Sequence, residues 1–225
     1  MGVPALTMWD WLSSVLGKGR SPDPSRSAQI DSARYVVLDT ELTSLDSRTN
    51  RLLSVGAIAM EGTKIRLGEQ FYRVVNPGEE IPPATIVIHG LRPADVQHGG
   101  APAEVLGELC EFIGSAIIVG HFVQIDVEIL RKELRQTSRQ LPNEALDTAR
   151  AHHWLTLSEA RKRGVEDVNE PLQLSALAAH YQLQVDDVHH ALHDAFLTAQ
   201  LWQRLLPRLM EHGLRTVSDV LRIAG

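Results

Sequence analysis

Cysteine occurs once in the 225 residues, as Cys110, which excludes an intramolecular disulfide framework and fits a reducing, cytoplasmic setting. No apolar run is long enough to cross a bilayer, so no transmembrane segment is expected. Positive charge is in deficit: 22 Lys and Arg against 28 Asp and Glu leave a net charge of −6. That balance argues against a protein that coats nucleic acid through bulk electrostatics, because such affinity depends on neutralising many phosphates, while a carboxylate-rich site holding metal ions can still make a local positive surface. A secretory signal is not expected either, since the apolar stretch Met8 to Leu16 is short, carries Asp10 and has no basic region before it.

What is present describes one ordinary globular domain, 44% hydrophobic and 22% charged. Met8, Trp9, Leu12, Val15 and Leu16 fall on one face of a short helix, and Gly17 to Ser25 reads as a linker. Residues 1–32 are therefore expected to be an N-terminal arm, with residues 1–20 able to dock on a protein partner. The domain proper is expected over 33–210, and 211–225 as a C-terminal extension. Its start reads as an antiparallel meander: a strand from Arg34 to Glu41, another from Arg51 to Met60, a turn at Glu61-Gly62 and a third strand from Lys64 to Val75. A short helix near Thr85 to His89 follows, then a helix over 102–114, in which Cys110 is a small buried hydrophobe. The apolar run Ala116 to His121 reads as a buried parallel strand, and Gln124 to Leu134 as a helix. Leu146 to Arg150 is expected as a short strand, 158–170 as a polar loop, Leu172 to His180 as a helix, and His190 to Met210 as the last long helix, kinked at Pro207.

Asp39 and Glu41 stand at the end of the first strand. Strand side chains alternate, so both point to one side, and two carboxylates held together need a cation between them or a retained proton. Asp126 sits in the first turn of a helix that follows a strand, where open α/β sheets build their sites. Asp194 lies on the last helix, five residues after His189. Oxygen ligands favour magnesium or manganese over zinc, and four carboxylates can hold two such ions about 3.5 to 4 Å apart. With a nearby imidazole that set is suited to hydrolysing phosphodiesters, the imidazole taking a proton from the attacking water. His189, His190 and His193 are rivals for that role.

Order and context resemble the DEDDh 3′→5′ exonucleases, the superfamily of the bacterial proofreading subunit of DNA polymerase III. Val37-Leu-Asp-Thr-Glu-Leu-Thr-Ser-Leu45 is similar to that family's Asp-x-Glu-Thr-Thr-Gly-Leu strand end, Ile88-His-Gly-Leu91 to its Ile-His-Gly-Ile, and Gly120 to Leu130 to its Gly-His-Asn-x-x-Phe-Asp-x-x-Phe-Leu. Asp147-Thr148 resembles a recurring Asp-Thr, and His189-x-Ala-x-x-Asp194 fits the third motif. The resemblance covers residues 33 to 206. It implies an α/β, ribonuclease-H-like mixed sheet, three antiparallel strands then parallel ones, flanked by helices. It also implies Asp39, Glu41, Asp126 and Asp194 as ligands of two magnesium or manganese ions and His189 as the base. Leu42, Thr43, His89 and Phe122 are implied at the substrate. The expected activity is removal of nucleoside monophosphates from the 3′ end of single-stranded nucleic acid, DNA favoured. An RNA-trimming exoribonuclease and a non-catalytic binding module on the same fold are the alternatives. The sequence departs from the pattern at Leu42, where Thr is usual, at Ser44 for Gly, at Phe122 for Asn and at Ile125 for Phe. For Phe122, core packing is the preferred reading over stacking on a base.

Overall fold

The computed structural model describes residues 24–44, 46, 48–79, 90–165, 168–185 and 190–225. The apolar arm helix, the helix expected near Thr85 to His89, and His189 itself lie outside the described residues. A five-stranded mixed sheet forms the centre, built from β1 (Arg34–Leu42), β2 (Leu52–Glu61), β3 (Lys64–Val74), β4 (Ile117–Gly120) and β5 (Ala145–Asp147). Its strand order is β3-β2-β1-β4-β5. The two hairpin-linked pairs are antiparallel, whereas β4 runs parallel to both β1 and β5, as the expected order of elements requires.

Alternation along β1 sorts its side chains onto two cores. Tyr35 and Val37 belong to one, which also contains Ile58, Leu146, Trp202 and Leu205; Val36 and Leu38 belong to the other, with Leu106, Ile118, Val127 and Leu130. In chain order the described helices are α1 (Pro24–Ser27), α2 (Pro93–Gln97), α3 (Pro102–Ile113), α4 (Gln124–Leu134), α5 (Thr148–Lys162), α6 (Leu174–His180), α7 (Ala191–Glu211) and α8 (Val217–Ala224). Helix α7 covers the face of Tyr35 and Val37, where the Trp202 ring meets the Tyr35 ring edge-on at 5.7 Å. Helices α3 and α4 cover the opposite face. Cys110 packs against the edge of this second core and is only partly buried, short of the full burial expected for it.

Three expectations differ from what is found. The short strand ends at Asp147, and Thr148 already begins α5, because the Asp147 carboxylate caps that helix by accepting the N–H groups of Ala149 and Arg150. The same helix runs to Lys162, so the first five residues of the expected loop 158–170 are its last turns. Segments assigned to arm and extension also pack with the domain. Val217, Val220 and Ala224 of α8 are buried in the first core, and Thr216 and Asp219 close a reciprocal capping box at its start. Ile30, 1% exposed, is drawn in beside them by its N–H bond to the Arg215 carbonyl at 2.9 Å. Through Pro207 the last long helix continues to Glu211.

Candidate active site

Asp39 and Glu41 share the parity of Tyr35 and Val37, so both face α7 at the end of β1. On β2 the residue opposite Asp39 is Gly56, and opposite Glu41 is Ser54. Gly56 decides how close α7 can come: a Cβ there would sit 2.2 Å from the Leu192 nitrogen and 2.3 Å from the Ala191 carbonyl carbon. With only hydrogen at that position, the first turn of α7 rests on the strand, which brings Asp194 over the two carboxylates. Carboxylate oxygens of Asp39, Glu41 and Asp194 all lie within 4.8 Å of one another, each side chain half-buried.

Asp126 arrives from the other side of the sheet. Thr40, between the two acids and facing the α4 side, donates its hydroxyl to Asp126 Oδ1 at 2.6 Å. Asp126 is nearly fully buried in the first turn of α4 and stands outside the tight trio, yet its charge reaches both Asp39 and Glu41. Burial first, and then the negative fields of Asp126, Asp194 and Glu41, hold the Asp39 carboxyl well above the usual range. Glu41 is pushed up to about 7 by burial and by Asp194 and Asp126. Burial also lifts Asp126 to about 7, against the hydrogen bond from Thr40, with Asp147 adding to the rise. Four acids crowded at this cost suit a hard cation, for which an all-oxygen donor set is the right chemistry.

The loop that sets Asp126 is braced from behind. Asp147 Oδ2 accepts the Val123 N–H at 3.0 Å while Oδ1 accepts from Ala149, so one buried carboxylate fixes the turns before α4 and α5 together. His121 spans Thr148 Oγ1 at 2.9 Å and the Leu172 carbonyl at 2.7 Å, a bracing role with both ring nitrogens engaged. The sequence marks Asp147 only as part of a recurring Asp-Thr, and Gly56 and Thr40 are not expected there as site-forming residues. The signal for Gly56 was available, since a lone glycine inside an apolar strand marks close approach of another backbone.

Among the residues expected at the substrate, Thr43 is buried with Oγ1 accepting the Arg51 N–H at 2.9 Å, which ties the ends of β1 and β2. Leu42 packs partly against the second core, at an irregularity in the β1–β2 register. His89 lies outside the described residues. Phe122 corrects the core-packing expectation: it is 42% exposed and has φ of +55°, a left-handed conformation that Asn adopts far more readily. Ile125, 47% exposed, stands one turn further on. His190, at the N-cap of α7, stacks on Tyr72 at 4.6 Å and lies tilted against His193 at 4.5 Å.

The chain is similar to known proteins in sequence and in fold. The profile of the exonuclease family, RNase_T, matches residues 36–202. DNA polymerase III subunit epsilon of Aquifex aeolicus is 32% identical over 176 residues, 78% of this chain and 81% of that protein. A DNA polymerase III subunit epsilon-like protein of Rhodobacter capsulatus is 31% identical over 210 residues; the match takes in 92% of this chain but spans only 28% of that protein. In fold, exonuclease X solved with a 5′ overhanging duplex DNA superposes with a TM-score of 0.63 at 21% identity, covering 85% of this chain and 99% of that one. Escherichia coli exonuclease I with a dT13 oligonucleotide gives 0.65 at 18% identity, over 80% of this chain and 43% of that one.

Proposed function

Since the chain belongs to the exonuclease family, in its DEDDh 3′→5′ branch with a ribonuclease-H-like fold, we propose that it releases nucleoside monophosphates from the 3′ end of single-stranded DNA, and that Asp39, Glu41, Asp126 and Asp194 hold two magnesium or manganese ions. The observation that carries this reading is the convergence of Asp39, Glu41 and Asp194 within 4.8 Å, with Asp126 hydrogen-bonded to Thr40 between them. When bound, the ions supply positive charge against the phosphate as its negative charge grows in the transition state. His189 takes the proton of the attacking water. Thr40 and Asp147 act through Asp126, keeping it aimed at the cluster. Leu42 and Phe122 flank the terminal nucleotide, and Thr43 supports them by closing the turn through Arg51. His89 contributes from the segment before α2. DNA is preferred over RNA because one relative is named a DNA polymerase III subunit epsilon and another an epsilon-like protein.

The experiment is hydrolysis of single-stranded DNA and RNA of matched sequence, labelled at either end, in magnesium, in manganese and in chelator. The reading expects a 3′ label to leave at once as a mononucleotide, a 5′ label to pass through a ladder of shortened products, and chelator to stop both. Faster loss of RNA than of DNA would transfer the proposal to an exoribonuclease. Metal-independent cleavage would remove it.

A further inference from the structure

Four residues before Asp126 the backbone turns left-handed. Strand β4 lies parallel to β1 with Val119 opposite Val37, so both deliver their C-terminal ends to one rim of the sheet, β4 at Gly120 and β1 with Asp39 and Glu41. From Gly120 the chain reverses quickly: Val123 is fully buried and lies so close that a Cβ on Gly120 would sit 2.6 Å from its side chain. The reversal is fastened on its far side, where Asp147 Oδ2 accepts the Val123 N–H at 3.0 Å and the Phe122 carbonyl accepts the Ile125 N–H at 3.1 Å. Phe122 carries the strain of this turn, with φ of +55°. Glycine or asparagine adopts that conformation readily, whereas a bulky aromatic residue there is rare. Burial does not compensate, since Phe122 is 42% exposed. Its ring is nevertheless anchored, edge-on against the His121 ring at 4.6 Å. His121 is fixed in turn by Thr148 Oγ1 at 2.9 Å and the Leu172 carbonyl at 2.7 Å.

A strained, exposed and anchored aromatic ring on the rim of a reaction site points to a role in what binds there. We propose that Phe122 is a stacking platform for the terminal nucleobase, and that it makes the reaction depend on an intact, unpaired base at the 3′ end. The proposal rests on the reading of the carboxylate cluster as a 3′ exonuclease site, because a phosphate held by that cluster brings the departing nucleotide to the same rim. An apolar ring selects the base over the sugar or the phosphate, and it does so without reading sequence, since every base has a π face. All four bases are therefore accepted, with purines favoured by their larger overlap. A base lying on this ring has left its pairing partner, so a duplex end is attacked only after it frays. The competing explanation is that the ring is a cover for His121, shielding the brace of the turn from water.

Single strands that end in a normal nucleotide or in an abasic one separate the two, cut by wild type, Phe122→Asn, Phe122→Leu and Phe122→Tyr. Stacking requires that removing either the base or the ring raise KM by roughly fivefold to a hundredfold, with a smaller change in kcat, because the contact is made alike before and in the transition state. The two losses do not add: Phe122→Asn on the abasic end is no worse than either change alone. Phe122→Tyr keeps the preference for an intact base and Phe122→Leu, apolar but without a π face, loses it. Phe122→Asn also melts at or above the wild-type temperature, since the strain at this position is relieved. Equal losses on the two strands, a Phe122→Leu enzyme that behaves as wild type, or a lower melting temperature of Phe122→Asn with unchanged KM would overturn the platform in favour of the cover. Should wild type cut neither strand, the cluster reading fails by itself. Fluorescence of a 2-aminopurine placed as the last base then judges the ring alone: quenching by wild type that Phe122→Asn abolishes sustains the platform, and equal emission with both removes it.

Discussion

Asp39 is surrounded by three other acids, and its raised pKa means that it strains the fold whenever it ionises without a cation. Asp39→Asn should therefore raise the metal-free melting temperature, while activity falls at least about 100-fold. Paired melting curves and initial rates check both signs; a variant that is less stable and still active would contradict the crowding account. The histidines offer a second test at this scale. His190 is committed to the Tyr72 and His193 rings, and His193 projects from α7 itself. His189→Ala should lose about 10² to 10⁴ in single-turnover rate, as removal of a general base does, whereas His190→Ala and His193→Ala should lose much less. A greater loss in His193→Ala would reassign the base.

At the scale of elements, the contact of α7 with β2 places one third of the carboxylate trio. Gly56→Ala puts a methyl group into the backbone of Ala191 and Leu192 and should cost about 1 to 3 kcal/mol, with activity falling further as Asp194 is pushed off the site. Gly68→Ala on β3, where an added Cβ meets nothing within 4 Å, is the control and should leave activity unchanged. Denaturant melts and rates of both variants decide it. This contact also marks where sequence reading reached its limit. Alternation along β1 made the shared face of Asp39 and Glu41 legible, and apolar spacing gave α4 and α7. Which helix covers which face is a long-range packing outcome, so the dependence of Asp194 on Gly56 had no local signature beyond the glycine itself. The break between β5 and α5 was missed for a different reason: Leu146 continues an apolar pattern, while capping by Asp147 depends on where the next helix points. Phe122 was misread because an aromatic residue is ordinarily interior, and its left-handed backbone is set by the turn after β4.

For the whole molecule, the raised carboxylates make stability depend on pH and cation together. Unfolded, these acids titrate near 4; folded, Glu41 and Asp126 titrate at about 7 and Asp39 also well above normal. Between those values the unfolded chain releases protons that the folded chain keeps, so their contribution to metal-free stability declines as pH rises from about 4 to about 7 and then levels off. His121 and His152, held below their usual pKa by burial, work in the opposite direction at the acidic end. The increment in melting temperature on adding magnesium largely cancels that opposing term. It should be small at acidic pH, where protons occupy the site, and larger above neutrality. An increment independent of pH would mean that magnesium binds elsewhere.

The central claim is that the cluster at the end of β1 and the start of α7 performs 3′ exonucleolysis with a divalent cation. Mononucleotide release from a 3′-labelled single strand, followed through a manganese titration for wild type and Asp194→Asn, tests it most directly. Wild-type release should rise with manganese, stop on chelation, and exceed that of a folded Asp194→Asn protein at least about 100-fold at every concentration. An Asp194→Asn protein that keeps the wild-type rate and manganese dependence would contradict the account.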